Sequence, residues 1–110
     1  MNHKWANRQT DNNQKEIVER LRRMPRVTVA INHDDLLVGF MGFNFWYEVK
    51  NPSCANKKGK VFKSAKKQGQ IDLEENWKGH YKIVTTVEEI IDDMKKTIEQ
   101  LHKELVNGNA

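Results

Sequence analysis

The chain is poor in the residues that mark several protein classes. Its single cysteine, Cys54, excludes an internal disulfide, and one Cys with four scattered histidines (His3, His33, His80, His102) lacks zinc-ligand spacing. A disulfide between two copies stays open. Two prolines and six glycines in 110 residues are too few for collagen-like or low-complexity sequence. The longest apolar stretches, Leu36 to Phe40 and Phe43 to Tyr47, fall far short of the ~20 residues that span a bilayer, and the polar start has no signal-peptide core. What is present is 37% hydrophobic and 31% charged residues, enough for one modest core under a solvated surface. The expectation is a soluble intracellular protein with no membrane partner, one domain over 1–110, loose at 1–10 and 107–110.

Charge is divided unevenly. Residues 1–70 carry 14 Lys/Arg against 6 Asp/Glu, whereas 71–110 carry 5 against 9. The positive half holds Arg20, Arg22, Arg23 and Arg26, then Lys57, Lys58, Lys60, Lys63, Lys66 and Lys67. That density suits a polyanion whose phosphates it would neutralise; a solvated basic loop that keeps a small protein soluble is the plainer reading.

Ile17, Val18, Leu21 and Met24 recur at helical spacing, with Asp11 or Asn12 to cap and Pro25 to stop, which predicts a helix over 13–24. Val27, Val29 and Ile31 alternate with small and polar residues, Leu36 to Phe40 is continuously apolar, and Phe43 to Lys50 alternates again. Three strands follow, separated by Asn32-His33-Asp34 and by Met41-Gly42, which reads as a tight hairpin. Asn51-Pro52-Ser53 ends the third strand, and a polar loop runs to Lys67. A helix over 68–78 with Gly79 as its C′ residue, a strand over 81–84, and a helix over 87–106 opened by a Thr86…Glu89 capping box complete the chain. In the last helix Val87, Ile91, Met94, Ile98, Leu101 and Leu105 form a stripe, either packed on the sheet or serving as a dimer seam. The fold class is α/β, in the order α-β-β-β-α-β-α, with helices on both faces of a mixed sheet.

Alternation along the third strand puts Asn44, Trp46, Glu48 and Lys50 on one face and Phe43, Phe45, Tyr47 and Val49 on the other. If Met41-Gly42 is a two-residue turn, Asp35 lies opposite Glu48; a three-residue loop would place Asp34 there instead. Two carboxylates ~4.5–5.5 Å apart at Cβ repel unless a cation sits between them, and a divalent metal with oxygen ligands would do so. A surface salt-bridge cluster, with Lys50 neutralising Glu48, is the alternative. Trp46 reads as a core tryptophan before it reads as a platform for a base. His33, beside the acidic pair, reads as a polar turn residue before it reads as a ligand or an assisting group, and Cys54, with no base nearby, carries no role.

Asn13-Gln14-Lys15-Glu16-Ile17-Val18, Asp35-Leu36-Leu37-Val38-Gly39, Glu48-Val49-Lys50-Asn51-Pro52, and Gln70 with Glu75-Asn76-Trp77-Lys78-Gly79 together resemble the small stand-alone VRR-NUC domains of phages and bacteria. These belong to the PD-(D/E)XK nucleases and are akin to Holliday junction resolvases. The resemblance covers about residues 11–95. It departs from the family's pattern at Asp34, where a proline is usual, at Asn32-His33, where a glycine-containing turn is usual, and at Lys67-Gln68-Gly69, where Thr-Pro is usual.

The resemblance implies a restriction-endonuclease-like core. It makes Asp35, Glu48 and the Val49 carbonyl ligands of Mg²⁺ or Mn²⁺, with Glu16 as an upstream acid, although Glu16 lies off the Ile17/Leu21 helix face and Gln14 on it. Lys50 would contact the attacked phosphate or position water, and Gln70 would orient substrate or the lysine. The expected activity is metal-assisted phosphodiester hydrolysis leaving a 5′-phosphate, in four-way junctions, in flaps and other branched DNA, or in DNA generally. The lysines from Lys57 to Lys67, with Arg22 and Arg23, would grip backbone phosphates. A C2 homodimer is implied, since a four-way junction takes two symmetric cuts. A DNA-binding module without catalysis is the reading from another class. The expected location is the cytoplasm or nucleoid of a bacterium, for a bacterial or a phage gene.

Overall fold

The computed structural model describes residues 13–33 and 35–108. Asp11 and Asn12, offered as caps, Asp34, the loose end expected at 1–10, and 109–110 of the one expected at 107–110 lie outside the described residues. A first helix, α1, covers 13–22. It stops short of 24 because Pro25 bars helical geometry from its predecessor. Arg23 and Met24 donate instead to the Arg20 and Leu21 carbonyls, at 3.3 and 3.0 Å, and Arg26 reverses the chain at φ 65°.

Three strands, β1 (Val27–Asn32), β2 (Asp35–Phe40) and β3 (Phe43–Val49), form an antiparallel meander. After the loop, α2 (Gln68–Asn76) leads to β4 (Tyr81–Val84), which pairs parallel with β3, and α3 (Val87–Val106) closes the chain. The result is an α/β fold in the expected order, with a mixed sheet β1-β2-β3-β4 and three helices. No helix among the described residues is long and apolar enough to cross a membrane.

Met41 and Gly42 have φ of 55° and 83°, the positive values of the two-residue turn whose twist matches a hairpin. Phe40 therefore faces Phe43, and the register runs on to Asp35 opposite Glu48. The three-residue alternative is excluded.

The pleat gives the sheet two unlike faces. Leu36, Val38, Phe45, Tyr47, Val49 and Val84 turn to one side, where they bury against Ile17, Val18 and Leu21 of α1 and Val87, Ile90 and Met94 of α3. Two of the three helices thus share a face. On the other side α2 reaches the sheet at β4, and Trp46 meets Trp77 edge-to-face with ring centres 5.6 Å apart.

Three local expectations need correction. The second helix ends at Asn76, and Trp77 is extended (φ −70°, ψ 125°), so Gly79 is no C′ residue. Gly79 serves close approach instead: a Cβ there would lie 2.8 Å from the Trp77 indole nitrogen. In α3 the fully buried positions include Ile90, which lies outside the 87/91/94 stripe, while Leu105 at the far end is 82% exposed. The polar loop is an ordered excursion. Ala55 pairs with Val61, and the Asn56 side chain accepts from the backbone N–H of Lys58 and Lys60 at 2.9 and 3.0 Å. Short 3-10 turns at Pro52–Cys54 and Lys63–Ala65 flank it.

Candidate active site

Counting from the Met41-Gly42 turn, the pair 35/48 is a non-hydrogen-bonded pair, the kind in which facing side chains approach most closely. Asp35 is half-buried, and Glu48 is only 5% exposed. Lys50, next on this face by alternation, is fixed through its backbone. Its N–H donates to the Val84 carbonyl at 2.8 Å, and its carbonyl accepts from the Asn13 side chain at 3.1 Å. A buried carboxylate, a second one across the strand and a lysine at the strand end therefore share one corner, held by β2, β3, β4 and the start of α1.

Sequence reasoning missed a neighbour of this corner. Tyr81 is in register with Trp46, 4.8 Å between ring centres, and its buried hydroxyl has no hydrogen-bond partner among the described residues. Burial pushes this phenol above its ordinary pKa, and the charges of Glu48, Asp35 and Glu74 push it further. The acid pair and Glu74 therefore lie within electrostatic reach of one ring. Only the β3–β4 register reveals this, and that pairing crosses the whole loop and α2.

The remaining expected residues fall at several places. Glu16 is exposed and lines a hollow with Asn13, Arg20, Pro52 and Glu88. Gln70 is engaged locally, its Oε1 accepting from the Lys67 N–H at 3.0 Å as the third residue of α2. Lys57 and Lys58 stand at the exposed tip organised by Asn56, and Lys67 is exposed. Lys60, Lys63 and Lys66 share a hollow with α2, where Lys66 pairs with Glu74 at 2.8 Å. Arg22 at the end of α1 and Arg23 just past it are exposed, away from that hollow, and Arg22 donates to the Val29 carbonyl of the edge strand at 2.9 Å. Basic residues thus occupy two sides of the molecule. Val49, whose carbonyl was the expected ligand, has its side chain buried among the apolar residues.

A second titratable cluster lies on the packed face. Asp93 of α3 accepts from the Tyr47 hydroxyl at 2.6 Å, lies 2.5 Å from His80 Nε2, and has Lys82 Nζ at 3.7 Å. Burial favours the neutral acid, but hydrogen bonds from His80 and Tyr47 and the charges of His80 and Lys82 outweigh it and hold Asp93 below the ordinary carboxylate value. The three side chains tie α3 to β3 and β4.

Comparison of the chain with protein-family models, with curated proteins and with solved structures finds no match. Among the described residues no group of three or more His, Cys, Asp or Glu is gathered around a possible metal position. Glu16 is accordingly not brought to the Asp35/Glu48 pair. The pair itself suits Mg²⁺ or Mn²⁺: both are hard acceptors of carboxylate oxygen, and Mg²⁺ is commonly held by one or two carboxylates with water and substrate phosphate completing the shell.

Proposed function

We propose that the chain is a metal-dependent DNA endonuclease of the PD-(D/E)XK type, with the restriction-endonuclease-like centre its resemblance to VRR-NUC domains implies, hydrolysing phosphodiesters in branched DNA and four-way junctions in particular. One observation carries this reading: Asp35 stands directly across from Glu48, and Lys50 follows two residues after Glu48 at the end of β3, its backbone N–H held by the Val84 carbonyl. Two carboxylates facing each other across a strand pair bring oxygen ligands together at one point, the donor set that a hard divalent cation takes.

A hard divalent cation held there would supply Lewis acidity to water and to the scissile phosphate. Asp35 and Glu48 orient the site, with the Val49 carbonyl as a further donor, and the Lys50 ammonium offsets negative charge that grows on the phosphate in the transition state. Glu16, near the start of α1, and Gln70, bound into the first turn of α2, act at most at the margin of this centre. The lysines of the 57–67 excursion hold backbone phosphates, as do Arg22 and Arg23 on the other side, without reading bases. A homodimer supplies the second centre that paired cuts in a junction need.

The test is a labelled four-way junction beside a matched linear duplex, with Mg²⁺, Mn²⁺ or EDTA and a Lys50→Ala control. Paired nicks that need metal and Lys50 and appear in the junction alone support the reading. Cutting of both substrates makes the enzyme a general nuclease. Binding without cutting in any metal removes the catalytic assignment and leaves a DNA-binding module.

A further inference from the structure

The acid pair belongs to a row that crosses the sheet, and the row beside it is apolar. On the face turned away from α1 and α3, the registers place Asn32, Asp35, Glu48 and Ile83 in one row and Ala30, Leu37, Trp46 and Tyr81 in the next. Rows on one face are two residues apart, ~6.6 Å at the rise of a strand. At the β1–β2 end this second row is open. Leu37 is 47% exposed, Ala30 is exposed, and Trp46 is half-buried, fixed from the β4 side by Trp77 and Tyr81. Together with Asp35 and Asn32 they line a hollow of about 310 Å³, within the size range of small-ligand sites.

We propose that this hollow is a platform for one unpaired nucleobase next to the scissile phosphate, so that the enzyme selects branch points containing an unstacked nucleotide. This rests on the nuclease reading and deepens it. With the phosphate at Asp35/Glu48, the flanking nucleoside falls one pleat away, on Leu37 and Trp46. A paired base keeps its faces inside the duplex and has only its edges to offer an apolar surface. An unpaired base presents a whole face, and Asn32 at the rim supplies a donor and an acceptor for its edge. The row beyond, Thr28, Gly39 and Asn44, is small and polar, so the apolar ground is limited to the strip beside the acids.

The experiment compares the wild type with Leu37→Ser, a change at an exposed position outside the metal site. One four-way junction is fully paired, a second carries two unpaired nucleotides at the crossing, and a third replaces these by abasic sites. Cutting in Mg²⁺ or Mn²⁺ is expected to be faster on the second by about tenfold, the scale of one base stacking on a side-chain platform. The abasic sites and Leu37→Ser should each remove that gain while cutting of the paired junction persists. Equal rates on the first two junctions, or a preference that survives Leu37→Ser, overturns the proposal. If no junction is cut, the nuclease reading fails separately, and the platform is then read in EDTA from the fluorescence of 2-aminopurine at the unpaired position. Quenching that Leu37→Ser abolishes supports the platform, and no quenching sinks it. A wild-type dimer that Leu37→Ser converts to monomer in sedimentation would make this face a subunit interface and overturn the base-binding assignment.

Discussion

Along β3, Phe45, Tyr47 and Val49 turn toward α1 and α3 and are at most 2% exposed, whereas Asn44, Trp46 and Glu48, each one position away, pass from exposed to half-buried to buried. The first set fills a contiguous core. The second grades from a polar end through an apolar strip to an acid row, under a layer that is complete only where α2 and Trp77 meet β4. The core and the proposed site thus lie on opposite sides of one strand, and a pleat of period two lets each vary without disturbing the other.

The largest expected effect comes from exchanging damage between the faces. Phe45→Ala empties a fully buried position and should cost about 3–5 kcal/mol in urea unfolding, enough to unfold a large share of a domain this size. Glu48→Gln, three residues on and also buried, removes charge without volume. Unfolding free energy should fall far less than in Phe45→Ala, because the side chain's volume is kept and no cavity opens. Metal-dependent cutting should fall by on the order of a hundredfold or more. A Glu48→Gln variant that loses stability like Phe45→Ala would show that the acid row is structural.

A smaller effect is expected at Asp93, a strongly engaged carboxylate on the packed face. Its pKa is lowered in the folded state, so its contribution is present above the unfolded value, ~3.9, and is lost as pH falls through the folded value. Asp93→Asn should cost about 2 kcal/mol at neutral pH, as expected for hydrogen bonds to a charged group. It should also flatten the loss of stability below about pH 4, measured by thermal melts from pH 2 to 7. A variant with an unchanged acid limb would remove the carboxylate from the network.

The meander was legible because its determinants are local. Period-two alternation assigned Phe45 and Tyr47 to one face and Glu48 and Lys50 to the other, and the two-residue turn at Met41-Gly42 then put Asp35 across from Glu48. Methionine made that turn ambiguous in sequence, since it is a poor residue at positive φ, and the structure places it there at 55°. What was not legible depends on β4. Its parallel register is set by side chains far apart in sequence, so neither Tyr81 beside the acids nor the meeting of Tyr47, His80 and Asp93 had a local signal. The same holds for Trp46, read as core, whose surroundings are the open strip and two aromatic edges from later in the chain.

The smallest expected effect tests how firmly that later part is joined to the acid face. In Gly79→Ala the new Cβ, 2.8 Å from the Trp77 indole nitrogen, displaces the ring and with it the edge contact to Trp46. Such a pair is worth about 0.5–1.5 kcal/mol, so urea unfolding should shift by that amount and tryptophan emission should move to longer wavelength as Trp77 gains solvent. Hydrogen exchange of β3 amides should fall only by the global loss, because Phe45 and Tyr47 are untouched. A larger loss, with β3 and β4 exchanging early, would mean that Trp77 holds the parallel pairing itself; the corner at Asp35, Glu48 and Lys50 would then depend on a residue no closer to it than the far side of Trp46.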